Sequence, residues 1–288
     1  MANKKLINEA KNVKKLVGPT LIRYGEATRY LWGDEESHQV SDWYYGAGER
    51  IASFMFSLRP GNYFKYSKAW KTHYNQQRLY YVLQGSLVIH DPQSGEVAVA
   101  NEGEAIYWHG HKWHFGYNFG QREALILEGC VPPLTEPEII TSAREPGLDK
   151  IVNGRYELLG KWPSELFNAQ QTAARNGGLF TIRRENCLRL IAGTKTPTLV
   201  SLFVSTDMMT VGFIELGVDK MADAETHPGD EALVCTRGRL NVYLPETFEW
   251  FELHPKDGMF IPEGTPHQYC SMSDQPVEFF FAVAPRYR

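Results

Sequence analysis

The chain carries the same β pattern twice, with the two copies 153 residues apart. Arg78-Leu79-Tyr80-Tyr81-Val82-Leu83-Gln84-Gly85 is echoed by Glu231-Ala232-Leu233-Val234-Cys235-Thr236-Arg237-Gly238, and a histidine follows each glycine after 29 residues, His114 in one copy and His267 in the other. Three coincidences in one register mark a duplicated structural unit. Within each copy the apolar runs are short, as in Ile51–Leu58, Leu79–His90, Leu199–Val204 and Ala232–Leu244, and they are broken by Gly, Pro, Asn and Asp. Runs of that length with β-branched and aromatic residues read as strands. The 288 residues are therefore expected to form an all-β protein of two antiparallel β domains rather than one large one.

The expected organisation is an N-terminal extension at 1–48, a first barrel at 49–131, a linker with a helix at 132–178 and a second barrel at 179–288. Leu6, Ala10, Val13 and Val17 recur at helical spacing and predict a short amphipathic helix at the start. Leu166, Phe167, Gln170 and Ala173, opened by Pro163 and closed by Gly177-Gly178, predict an inter-domain helix over Pro163–Asn176. Lysine and arginine number 30 against 34 aspartate and glutamate, a net charge of −4, which argues against holding nucleic acid or an anionic membrane by bulk charge. No apolar run reads as a signal peptide or approaches the ~20 residues of a membrane span. Cys130, Cys187, Cys235 and Cys270 stand singly, as free thiols in a reducing compartment do, so the expected location is cytoplasmic.

The chemistry is concentrated in the second copy. Glu225 and His227 are two apart, so on an extended strand their side chains leave one face. Glu231 follows the turn signal Pro228-Gly229-Asp230, and His267 enters from a separate strand through Pro262-Glu263-Gly264. Two imidazoles and up to two carboxylates inside a β barrel suit one divalent ion, and Mn, Fe, Zn and Ni all accept that ligand mixture. Glu225 has a second reading, as a general base beside the ion.

This arrangement resembles the cupin superfamily, whose first motif runs Gly, His-x-His, Glu, Gly and whose second runs Gly, Pro-x-Gly, His, Asn. His227, Glu231 and Gly238 match the first motif, with Glu225 standing in the first histidine position. Pro262, Gly264 and His267 match the second, with Lys256 replacing its first glycine and Ser271 its asparagine. The resemblance spans about 51–129 and 199–284 and implies a bicupin, two cupin-type barrels in tandem. In the first copy Lys71-Thr72-His73 stands at the histidine positions and Arg78 at the glutamate, while Gly85, Gly103, His114 and Asn118 match. Two cations around His73 and His114 oppose a metal dication, so the first barrel is expected to be metal-free, the alternative being a site on His109, His111 and His114. A narrower resemblance, to ureidoglycine aminohydrolases, holds at Glu225 and His227 and fails at Glu231 and His267, where that family has His and Gln. It implies a metal in the second barrel only.

A ligand set enriched in carboxylates favours Lewis-acid chemistry on a small polar substrate of the carbonyl, hydroxy-acid or ureido type, by isomerisation, lyase or hydrolase reaction. The alternatives are an Fe(II)-dependent dioxygenase using His227, Glu231 and His267, and a non-catalytic small-molecule-binding cupin. Arg237 and Arg239, flanking Gly238, are candidates to meet a substrate carboxylate. The bicupin resemblance further implies a homodimer.

Overall fold

The structure is a computed structural model that describes residues 15–133 and 147–288. The helix expected on Leu6, Ala10 and Val13 lies outside the described residues. The rest is mostly β, built on two seven-stranded antiparallel sheets. In the first, the strands Gln77–Gln84, Ala124–Val131 and Ala52–Leu58 are central; in the second, Asp230–Arg237, Val277–Ala284 and Thr210–Leu216 hold the same places. A four-stranded sheet closes each barrel, containing Ser86–Asp91 in one and Leu240–Leu244 in the other. The duplicated glycines turn the chain alike. Gly85 and Gly238 have φ of +78° and +76°, and a Cβ would stand 2.8 Å from the Glu123 carbonyl oxygen in one and 2.6 Å from that of Pro276 in the other. Gly238→Ala is accordingly expected to cost about 2–3 kcal/mol, read as a lower denaturation midpoint. Lys256, which replaces the motif glycine, keeps the backbone of its counterpart Gly103, with φ of +78° against +86°.

The central strands are buried on both faces, which explains why their sequences do not alternate with polar residues. In Val277–Ala284, Phe279 and Phe281 fill the second barrel, whereas Phe280 and Ala282 enter a core shared with the first. In Gln77–Gln84, Tyr80 and Val82 face the first barrel, and Leu79 and Tyr81 face that shared core. There Tyr81 stacks on Phe280 with centroids 5.6 Å apart and meets the edge of Phe213 at 4.8 Å. Burying such side chains stabilises by roughly 1.5–3 kcal/mol each, so the barrels are joined back to back by their own sheets.

Each sheet also borrows a strand. Thr20–Ile22, within the 1–48 segment, pairs with Gly258–Phe260 of the second sheet, and Phe180–Ile182, within the 179–288 segment, pairs with Ala105–Tyr107 of the first. Both additions cover edge strands whose backbone groups would otherwise lack partners. The N-terminal arm is anchored by Asp257, which accepts from Arg23 at 2.7 Å and from the Tyr24 backbone N–H at 2.9 Å. The inter-domain helix spans Pro163–Arg175, with Glu165 accepting the Trp162 backbone N–H at 2.9 Å as an N-terminal cap. No described helix is long and apolar enough to cross a membrane.

Candidate metal centre

The segment carrying Glu225 is tied directly to the one carrying His267. The Glu225 N–H donates to the His267 carbonyl at 2.9 Å and the reverse bond is 3.0 Å, while the Gly264 N–H donates to the His227 carbonyl. These bonds bring Glu225, His227 and His267 together, so that one donor atom from each lies within 4.8 Å of the others. Glu231, on the strand Asp230–Arg237, is fully buried beside them, with Oε2 3.4 Å from His267 Nε2 and 3.7 Å from His227 Nε2. The structure thus gathers all four residues that the spacing singled out.

Both imidazoles are oriented by backbone oxygen. His227 Nδ1 donates to the Tyr287 carbonyl at 2.8 Å and His267 Nδ1 to that of Thr265 at 2.9 Å. A carbonyl only accepts, so Nδ1 carries the proton and Nε2 presents its lone pair inward. His227 Nε2 is buried there without a hydrogen-bond partner. Burial holds both imidazoles near a pKa of about 4 and thus neutral, His227 also by the proximity of His267. The short imidazole–carboxylate distances are therefore not ion pairs. Burial raises Glu231 to about 8, with a smaller contribution from Glu225, and burial raises Glu225 as well. Tyr269 bridges the cluster, its hydroxyl lying 2.8 and 2.9 Å from the Glu231 oxygens and 2.9 Å from His267 Nε2. One hydroxyl proton cannot serve all three acceptors, so a proton on Glu231 completes the set. An orphaned Nε2, a second one oriented alike and carboxylates at 3.4–4.0 Å are what a cation at ~2.1 Å from each donor would satisfy.

These shifts give the metal-free protein a pH dependence. Glu231 has its pKa raised from 4.5 to about 8 by folding, so its contribution to stability is lost as pH rises across that interval. The histidines, lowered from 6.5 to about 4, act in the opposite sense and only below 6.5. Between pH 6.5 and 8 the Glu231 effect should lower stability by roughly 1–2 kcal/mol, and the raised carboxyls of Glu225 and Asp42 act in the same sense. Denaturation curves at the two pH values check this; the fall should be smaller in Glu231→Gln by that amount, and an equal fall in that variant contradicts the assignment.

A cavity of about 240 Å³ opens beside the cluster, walled by Glu225, Tyr269, Tyr287, Arg288 and the turn at Gly193-Thr194. Tyr287 donates to Glu225 Oε2 at 3.1 Å, and the Arg288 guanidinium stands 3.8 Å from the same oxygen, exposed at the rim. The turn is pinned by Asp223, which accepts the backbone N–H groups of Thr194, Lys195 and Thr196. The expected arginines are elsewhere: Arg237, at the end of its strand, faces Glu215 and Glu278, and Arg239, in the turn that follows, faces Glu252, both side chains being exposed. Arg288 is the arginine that lines the cavity. Tyr287 and Arg288 follow the last strand in no periodic pattern; an aromatic–arginine pair just past Pro285 was the only signal available.

In the first barrel the structure shifts the expected register by one residue. Thr72, Tyr74, Arg78 and His114 line its interior, each 153 residues before Glu225, His227, Glu231 and His267. Lys71 does not line that cavity, and His73 turns to the opposite face, 5.1 Å from Trp113 and 5.8 Å from His111. His109 and His111 are exposed while His114 is buried against Trp108, so those three are not gathered.

Residues 212–283 match the cupin domain family. No curated protein matches the chain by sequence. Among solved structures, the putative glyoxylate-induced protein of Pseudomonas aeruginosa superimposes with a TM-score of 0.62 at 14% identity, covering 96% of this chain and 92% of that one. The oxalate decarboxylase–formate complex of Lactobacillus farciminis gives 0.60 at 13% identity, with 95% and 88% covered. Protein YlbA of E. coli gives 0.61 at 10% identity, with 98% and 97% covered. Residues 212–283 are thus a cupin domain, and the chain as a whole has the two-barrel cupin fold.

Proposed function

We propose that the chain is a metal-dependent enzyme whose second barrel acts on a small polar substrate bearing a carboxylate or carbonyl group. The observation that carries this reading is the pair of neutral imidazoles, locked through Nδ1 and turned with Nε2 toward the buried Glu231 and the half-buried Glu225 beside an open cavity. Glu225, His227, Glu231 and His267 would hold one divalent ion, of Mn, Fe, Zn or Ni. Bound there, such an ion supplies Lewis acidity to a substrate oxygen. Arg288, at the rim, is suited to take the substrate's carboxylate. Tyr287 positions Glu225 through its hydroxyl, and Glu225, forming part of the cavity wall, is placed to accept and return a substrate proton. The neighbouring structures named for glyoxylate and for oxalate decarboxylation favour small oxo- and dicarboxylic acids as first candidates.

Turnover of such acids, measured in air and under argon, tests the reading. Equal rates support isomerase, lyase or hydrolase chemistry, whereas turnover that needs dioxygen assigns the dioxygenase alternative. Purified protein that neither holds a divalent ion nor turns over any of them overturns it. Arg288→Ala is expected to raise KM by roughly tenfold to a hundredfold with little change in kcat, the loss of one charge-assisted contact. We also propose a homodimer, because the edge strand Leu188–Ala192 exposes Leu188 and Ile191 to about two thirds of their surface. Light scattering reads the state directly.

A further inference from the structure

The first barrel contains a second cavity, of about 70 Å³, at the position corresponding to the metal centre of the other copy. Six aromatic rings wall it, those of Trp32, Phe54, Phe56, Phe64, Tyr74 and Tyr80. Three charged side chains face it: Asp42, Arg78 and Glu128. Arg78 and Glu128 are 4% and 7% exposed and stand 2.7 Å apart, so one positive charge is met by one negative charge. Asp42 remains. Among the described residues it accepts no hydrogen bond and makes no ion pair, and burial, with Glu128 adding like charge, pushes its carboxyl well above the ordinary range.

The polar atoms left open here are all acceptors or hydroxyls. Thr72 Oγ1 is buried without a hydrogen-bond partner, and Glu128 Oε1 meets only the Arg78 guanidinium, 2.7 Å away. Arg78, by contrast, is already engaged. Its Nε and one terminal nitrogen donate to Gln76, the other terminal nitrogen meets Glu128 and Tyr80, and the Tyr74 ring lies 4.1 Å from its guanidinium carbon. A guanidinium so covered has no free fork for a ligand anion. A metal ion is not favoured either, because the one convergent group of three or more His, Cys, Asp or Glu donors among the described residues is that of the second barrel.

We propose that this cavity binds an organic ammonium ion, its N–H groups donating to Asp42 and Glu128 and its alkyl part lying against the aromatic walls. One such ion balances the charges of Asp42, Arg78 and Glu128, and aromatic faces attract cations in addition. The cavity volume accommodates a head-group of a few atoms, with the rest of the molecule leading out between the half-buried Trp32, Asp42 and Tyr74. The duplication has then changed the ligand rather than lost it: Arg78 has replaced the acid at the Glu231 position, and two carboxylates face it from the strands Val40–Ala47 and Ala124–Val131, which flank Ala52–Leu58 in the same sheet.

Size-matched probes test this on the intact chain. Saturation-transfer NMR titrations with butylammonium, butyrate and butanol should show butylammonium binding at least tenfold more tightly than the other two. Asp42→Asn, checked as folded by circular dichroism, should weaken butylammonium by roughly tenfold to a hundredfold. Butyrate or butanol binding as tightly as butylammonium, no butylammonium binding at all, or unchanged affinity in the folded variant would each overturn the proposal. The wild-type comparison of the three probes decides the matter even if the variant does not fold. Loss of the metal centre would leave this result untouched, since the two cavities lie in different barrels.

Discussion

Glu128→Leu is expected to destabilise the protein by about 3–5 kcal/mol, because it leaves the Arg78 guanidinium buried without its counter-charge. The cost falls toward the lower end of that range for a structural reason. Asp42 faces the same cavity, and removal of Glu128 takes away the like charge that helps keep its carboxyl protonated, so Asp42 ionises and compensates in part. Arg78→Met combined with Glu128→Leu should cost far less than the sum of the single changes, since two charges leave the interior together and apolar volume replaces them. Urea midpoints of the two single variants and the double variant check this. A Glu128→Leu variant as stable as wild type, or a double variant as unstable as the sum, would show that the pair is not a buried ion pair in solution.

Much of the architecture was legible because duplication preserves what geometry demands. Gly85 and Gly238 stand at turns where a Cβ meets a carbonyl oxygen, so both copies retained glycine and the 153-residue register could be seen. Glu225 and His227 were legible through their spacing of two, although the structure holds them in an extended segment with a single bridge from Glu225 to His267 rather than in the expected strand, and Glu231 and His267 were legible through their distances from Gly238. The first copy misled for a reason of the same kind. Between Arg78 and the preceding pair the chain admits three or four intervening residues, and a one-residue slip exchanges the faces of a strand. His73 therefore looked like the counterpart of His227, although Tyr74 holds that place. Other features had no local signal. Thr20–Ile22 is three residues long and finds its partner in the other barrel, and Tyr287 reaches His227 only through the turn after the final strand. Lys256 shows the converse: its φ of +78° marks a glycine position that the residue type conceals.

Metal retention should separate the residues of the second barrel by rank. His227→Ala and His267→Ala each remove an oriented Nε2 from the cluster and are expected to lower affinity for a divalent ion by more than roughly 100-fold, whereas Tyr287→Phe should cost roughly 10–100-fold. The difference follows from what each change removes. Phenylalanine at 287 keeps the backbone carbonyl that orients His227 and loses only the hydroxyl that holds Glu225, while either alanine leaves an imidazole gap among buried carboxyls that water must fill. His114→Ala, in the other barrel, should leave retention unchanged. Elemental analysis after dialysis against graded concentrations of a chelator provides the measure, and it does not depend on knowing the substrate. A stoichiometry near one that survives both histidine changes would place the ion elsewhere. Equal losses in Tyr287→Phe and the histidine variants would mean that Glu225, held by Tyr287, dominates the site, and the first motif position would then be the principal ligand rather than a carboxylate shared between ion and substrate.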